Sequence, residues 1–236
     1  MDNAAIILVI VVLVAVAAAA VYLNWRAREQ RREALRLLAV RLGWTFDEGS
    51  DSSMDDQFPQ FECFSRGHSR SGYNTLRGGR EIDGKAFPVQ MGDYTYRITT
   101  SNGKTTTTRT YRFSYAIIRV PWAGVPDLLV RREGIFDKLK GAMGFDDIDF
   151  ESEEFSRRFW VKSADKKFAY DVIHPRMMEF LLASNPSPVE LRAGCVCITD
   201  GTRLWEPGEF EPRLGWMEQF FALWPEHLTS ALESKA

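Results

Sequence analysis

Residues 86–120 read AFPVQMGDYTYRITTSNGKTTTTRTYRFSYAIIRV, and the reading of this stretch decides the fold. Residues 86–98 and 105–120 are rich in aromatic and β-branched side chains, which suit a pleated, half-buried surface. In the second run Tyr111, Phe113, Tyr115 and Ile117 alternate with Arg112, Ser114 and Ala116. That is the period of two that a strand with one buried face requires. Ser101-Asn102-Gly103-Lys104 lies between the runs, and Asn-Gly supplies the positive φ of a tight hairpin turn. A long antiparallel hairpin is therefore expected.

Toward the C-terminus, residues 121–126 are bounded by Pro121 and Pro126 and break the sheet. The pattern then predicts a strand over 127–131, a short helix over 135–143 ending at Gly144, and strands over 147–151 and 158–162. Helices are expected over 166–172 and over 175–183, the latter with Pro175 in its first turn. Residues 189–192 and 195–199 read as a hairpin joined near Ala193-Gly194. Trp216, Phe220, Leu223, Trp224 and Leu228 form an aromatic helical face that Pro225 kinks or splits. Strands interspersed with a few helices, without regular βαβ alternation, define an α+β class with antiparallel sheet.

Toward the N-terminus, residues 44–60 are polar and acidic and read as a linker or surface loop. Residues 24–42 read as a helix, with Leu35, Leu38, Ala39 and Leu42 on one stripe and Gly43 as its stop. Arg28, Arg31, Arg32 and Arg36 lie mainly off that stripe. Before it, residues 4–23 are apolar throughout, without charge, Pro or Gly. Twenty helical residues at about 1.5 Å each span roughly 30 Å, the hydrocarbon thickness of a bilayer. A transmembrane helix is expected, with the lipid bilayer contacting residues 4–23. A cleaved signal peptide needs a basic start and a shorter apolar core, and this chain has neither.

The organisation expected is an anchor over 1–24, a juxtamembrane amphipathic helix over 25–43, the acidic segment, and an α+β domain over 61–236. About 210 residues beyond the anchor also allow two subdomains divided near 121–146. Arg26, Arg28, Arg31 and Arg32 follow the span and no Lys or Arg precedes it, which predicts a cytoplasmic domain at the inner membrane. Tyr22 and Trp25 belong with these arginines at the membrane interface, where aromatic belts lie. Three cysteines, an odd number, agree with reduced thiols. A net charge of −2 gives no support to nucleic-acid binding.

Candidate chemistry is sparse. Asp147, Asp149, Glu151 and Glu153 would share one face of a strand, and clustered carboxylates are what Mg²⁺ or Ca²⁺ prefers. Four on one strand splay along some 20 Å, so a solvated face is the expectation and a metal-dependent hydrolase or transferase the minor alternative. Cys63, Cys195, Cys197 and His174 could supply four zinc ligands, but the paired spacings of structural zinc sites are missing. No catalytic residue, metal or cofactor is therefore assigned. Arg66, Arg70, Arg77 and Arg80 are a candidate anion or phospholipid-headgroup set, since arginine binds phosphate well.

Three blocks carry a resemblance: residues 144–152 (GFDDIDFES) with Phe155-Ser156-Arg157-Arg158-Phe159, residues 64–78, and residues 163–179 ending His174-Pro175-Arg176-Met177-Met178-Glu179. Together they resemble a group of uncharacterised bacterial membrane-anchored proteins. The last block is also similar to a bacterial domain of unknown function sometimes labelled galanin-like. The resemblance implies bacterial origin and a common fold, and no catalytic residues. The resulting expectation is a non-enzymatic, single-pass protein that binds a protein partner or acts as a scaffold, with an anionic-lipid headgroup module as the alternative.

Overall fold

A computed structural model describes residues 3–132 and 148–234. Its first element is α1 (Asn3–Leu42), one helix that includes both the apolar run and the arginine-rich segment. Within it, Ile6–Leu42 is long and apolar enough to cross a membrane, and the apolar window is not buried against the rest of the chain. Only the far end packs: Leu35, Leu38 and Ala39 are buried, with Leu42 partly so. The stripe read from the sequence thus belongs to the domain's own core. Each such leucine contributes about 1.5–3 kcal/mol on full burial. Gly43, at positive φ, ends the helix.

The strands are β1 (Thr45–Asp47), β2 (His68–Ile82), β3 (Lys85–Ser101), β4 (Thr106–Arg119), β5 (Leu128–Arg132), β6 (Phe159–Ser163), β7 (Val189–Arg192) and β8 (Cys195–Thr199). They form one antiparallel sheet in the order β1-β2-β3-β4-β8-β7-β5-β6. Strands from both sides of residues 121–146 share this one sheet, because β8 pairs with β4 and carries β7, β5 and β6 beside it. The helices are α2 (Met54–Gln57), α3 (Glu62–Ser65), α4 (Glu153–Arg158), α5 (Lys166–Val172), α6 (Pro175–Ser184), α7 (Phe210–Ala222) and α8 (Glu226–Glu233).

Alternation divides the apolar residues between two faces. Val89, Met91, Ala116, Ile118, Val196 and Ile198 join the larger core under α1, α5, α6, α7 and α8. Tyr94, Tyr96, Phe113, Tyr115, Ile117, Cys195 and Cys197 join a smaller one capped by Met54, Phe58, Phe61 and Phe64. Phe64 is its hub, edge-on to Tyr94 at 5.0 Å and to Tyr115 at 5.2 Å between ring centroids.

Several expectations need correction. The acidic segment is more than a linker: it holds β1 and α2, and Met54 and Phe58 seal the smaller core. Residues 148–152 form no strand. Ile148 and Phe150 are buried and Asp149 is exposed, so the alternation is real, but among the described residues Ile148 N–H bonds the Val161 carbonyl while Phe150 bonds the Ser156 hydroxyl instead of a neighbouring strand. Ser152 then caps α4 through Phe155 N–H. The helix expected over 135–143 lies outside the described residues. The β3–β4 turn is a four-residue loop, in which Asn102 Oδ1 accepts from the N–H groups of Lys104 and Thr105 at 3.1 and 2.9 Å, and Gly103 has φ +82°. Pro225 separates α7 from α8, as its missing N–H dictates.

Candidate membrane-proximal site

Where α1 crosses the sheet, Arg31 enters a buried polar pocket. Its Nε and Nη2 donate to the two oxygens of Asp93 at 2.8 and 2.7 Å, a bidentate pair. Nη1 donates to the Trp205 carbonyl at 2.6 Å. Asp93 also accepts from Asn74 Nδ2 at 3.0 Å and from Ser114 Oγ at 2.7 Å. Ser114 Oγ in turn accepts from Trp205 N–H at 3.0 Å. The Asp93 side chain is fully buried and that of Arg31 is 14 % exposed, so the charges sit in low dielectric with their hydrogen-bonding capacity met. The network ties together α1, β2, β3, β4 and the chain entering α7.

Sequence reasoning placed Arg31 at the membrane interface and overlooked its partners. Asp93 carried a usable signal: it follows Val89 and Met91 at alternate positions, so it falls on the buried face. A carboxylate there requires a cation.

On the membrane side of this pair lies a groove of about 680 Å³ between α1 and the sheet. Arg28 lines one wall; Ser71, Thr95, Arg97, Thr110 and Arg112 line the floor. Arg28, Arg97 and Arg112 are exposed, and among the described residues none has an ion-pair partner. The Tyr73 hydroxyl, also in the lining, is pushed up to about 12 by burial and by the charge of Asp93, against the opposing pull of Arg112, Arg31 and Arg28. It stays a neutral phenol.

The four arginines singled out as an anion site are arranged differently. Arg66 pairs with Glu62 at 3.1 Å, Arg70 with Asp55 at 2.6 Å, Arg77 with Asp47 and Asp51 at 3.6 Å, and Arg80 with Glu218 at 2.7 Å. Each is turned to its own carboxylate, so the structure does not assemble them into a site. Of the other residues expected at a membrane interface, Tyr22 and Trp25 are exposed with ring centroids 6.0 Å apart. Arg26 is exposed, and Arg32 bonds Glu29 at 3.0 Å and lies 3.5 Å from Glu48.

The other candidates disperse. Asp149 and Glu151 lie in a loop and Glu153 opens α4, while Asp147 falls outside the described residues. No group of three His, Cys, Asp or Glu among the described residues has metal-binding geometry. Cys63, Cys195 and Cys197 are free thiols. Cys63 hydrogen-bonds Cys197, which together with burial raises the latter's pKa well above the usual thiol value. His174 is elsewhere: its Nε2 lies 2.8 Å from the Leu223 carbonyl, so the four zinc candidates do not meet.

These features define a class: an α+β sheet domain carried on a single long apolar helix that is also one of its core elements. A solved structure that shares this fold is the mycobacterial trehalose monomycolate transport factor A, TtfA. It superposes with a TM-score of 0.53 over 83% of this chain and 95% of that one, at 11% identity. At that identity the likeness shows the fold alone. No family model and no curated protein matches the sequence.

Proposed function

We propose that the chain is a membrane-anchored, non-catalytic protein whose domain lies on the cytoplasmic face of the inner membrane and binds a protein partner there. The observation that carries this reading is the dual use of α1. Its apolar part is exposed along its length, and its other end is locked into the core by Leu35, Leu38 and the Arg31–Asp93 pair. A helix used in this way presents the domain at a set height and angle to the bilayer, which suits assembly with another membrane protein. The arginines after the span support the cytoplasmic orientation. The solved structure sharing the fold is named for transport of trehalose monomycolate, and a place in a membrane transport assembly is the version of this reading that the name supports. Membership of the bacterial membrane-anchored group that residues 144–159 resemble belongs to the same proposal.

The test is topology followed by partner capture. Protease should degrade the domain in inverted inner-membrane vesicles and leave it intact in spheroplasts. The reverse pattern, or a mature chain lacking residues 1–23, overturns the orientation. Photo-crosslinking from the domain in native membranes should then trap a membrane protein, and should fail when residues 4–23 alone are replaced by an unrelated apolar helix joined to Asn24 through a flexible linker, which leaves Arg31, Leu35 and Leu38 in place.

A further inference from the structure

From core to membrane, α1 and the β3–β4 hairpin change character in step. Along α1 backward from its end come Leu38 and Leu35 in the core, Arg31 in the buried pair, then Arg28 and Asn24 in the groove. Along one face of β3 come Val89 and Met91 in the core, Asp93 in the pair, then Thr95 and Arg97 in the groove. β4 repeats the order with Ile118 and Ala116, Ser114, then Arg112 and Thr110. Helix and hairpin therefore leave the core on the same side, and the groove lies between them next to the end of the apolar run.

Its level is set by Asn24, which lines the groove and directly follows Leu23, the last residue of the apolar run. At about 1.5 Å per residue Arg28 lies roughly 7.5 Å beyond Leu23. The interfacial layer on each side of the hydrocarbon is about 5–7.5 Å deep. With residues 4–23 in the bilayer as proposed, Arg28 falls at headgroup depth, and Arg97 and Arg112 line the same groove. The floor between them offers the hydroxyls of Ser71, Thr95 and Thr110. Glu48, the carboxylate in the lining, is engaged by Arg32 and Arg36. These three guanidinium groups, without an ion-pair partner among the described residues, and the neighbouring hydroxyls supply the donors that a phosphate ester attached to a polar headgroup takes.

We infer that this groove binds the phosphate-bearing headgroup of an anionic lipid from the bilayer that holds α1. The inference rests on the anchored reading but does not depend on which face of the membrane the domain occupies. Headgroup capture would add a second attachment beside the helix and fix the domain's rotation about the anchor.

The experiment uses the full chain in neutral detergent, with short-chain phosphatidylglycerol, short-chain phosphatidylcholine and inorganic phosphate as separate probes, and native mass spectrometry as the readout. Phosphatidylglycerol should be retained at least tenfold better than phosphatidylcholine. Combined Arg28→Gln, Arg97→Gln and Arg112→Gln should weaken it on the order of 100-fold, given the contribution of each cation near an anionic surface. Combined Arg66→Gln, Arg77→Gln and Arg80→Gln should leave it within about twofold, since those side chains are already paired. Thr110→Glu, which adds a carboxylate to the floor at an exposed position, should also abolish the preference and guards against misfolding of the triple variant. Equal retention of both lipids, equal loss in both triple variants, or displacement of the lipid by inorganic phosphate at the same concentration would each overturn the inference. Because this readout needs no vesicle sidedness, its failure is distinguishable from failure of the topology test.

Discussion

The arginines on and just before β2 and those around the groove are similar in number and nearly opposite in circumstance. Arg66, Arg70, Arg77 and Arg80 each face a carboxylate: Arg70, Arg77 and Arg80 pin α2, β1 and α7 to β2, and Arg66 pairs with Glu62 of the helix it directly follows. Arg28, Arg97 and Arg112 face solvent across a hydroxyl-lined floor. Arg31 stands between the two sets and is the one whose charge is sealed inside. Density of arginine in the sequence does not reveal an anion site. What separates scaffold from site is whether the fold brings an acid to each base.

The strongest way to break this contrast is Arg31→Met. It leaves Asp93 buried with its countercharge gone, a loss of about 3–5 kcal/mol. For a domain of this size that is roughly a 10 °C fall in Tm, measurable by differential scanning calorimetry of the full chain in detergent. The double variant Arg31→Met with Asp93→Leu should recover much of the loss, because well-packed apolar groups replace a buried pair at little cost.

Gly78→Ala comes next. A Cβ at position 78 would lie 2.2 Å from the Trp44 ring, whose face Arg80 covers at 5.7 Å. Overpacking of this kind costs about 1–3 kcal/mol and should change the Trp44 fluorescence environment. Arg66→Gln, Arg70→Gln and Arg77→Gln remove partly exposed pairs, and each should shift unfolding by less than about 1 kcal/mol, less again in high salt.

A pH series gives a smaller effect. Glu209 is held down to about 2 by the hydrogen bond from Arg203, assisted by the Glu206 backbone and Arg213. Its folded pKa is depressed, so its stabilisation is fully present above the ordinary carboxylate value of about 4.3 and is lost as pH falls toward 2. Glu209→Gln should therefore narrow the stability gap between pH 6 and pH 3, and solvent screening keeps the change small. Smallest of all is the groove set: Arg28→Gln, Arg97→Gln and Arg112→Gln should leave unfolding stability in lipid-free detergent unchanged within about 0.5 kcal/mol. A larger loss would mean that these side chains are structural after all, and the contrast would dissolve.

Much of the fold was legible because local chemistry agreed with the tertiary outcome. The helix over 166–172, the hairpin of 189–192 with 195–199, and the split at Pro225 all coincide with observed elements. The stripe of Leu35, Leu38 and Ala39 announced a core face, and the alternation in residues 111–117 marked Phe113 and Tyr115 as buried, although Tyr111 is exposed and the opposite face, with Ser114 and Ala116, is buried as well. The candidate site was much less legible. Asp93 and Arg31 are 62 residues apart, and no local pattern couples them. Residues 147–151 alternate like a strand, yet only the contacts of Ile148 and Phe150 are needed, and a loop supplies them. Carboxylates in the acidic segment looked like solvated linker because the acids it contributes, Asp47, Asp51 and Asp55, find their bases on β2.

The forty residues of α1 contain neither proline nor glycine, and their last turns are bolted to the sheet. Such a rod, about 60 Å long at 1.5 Å per residue, has no joint at the water line. With α1 anchored as proposed, thinning or thickening of the surrounding lipid, which tilts a spanning helix, swings the whole globular head as a lever swings its load. Mechanical information about the bilayer would reach a bound partner through rigidity alone.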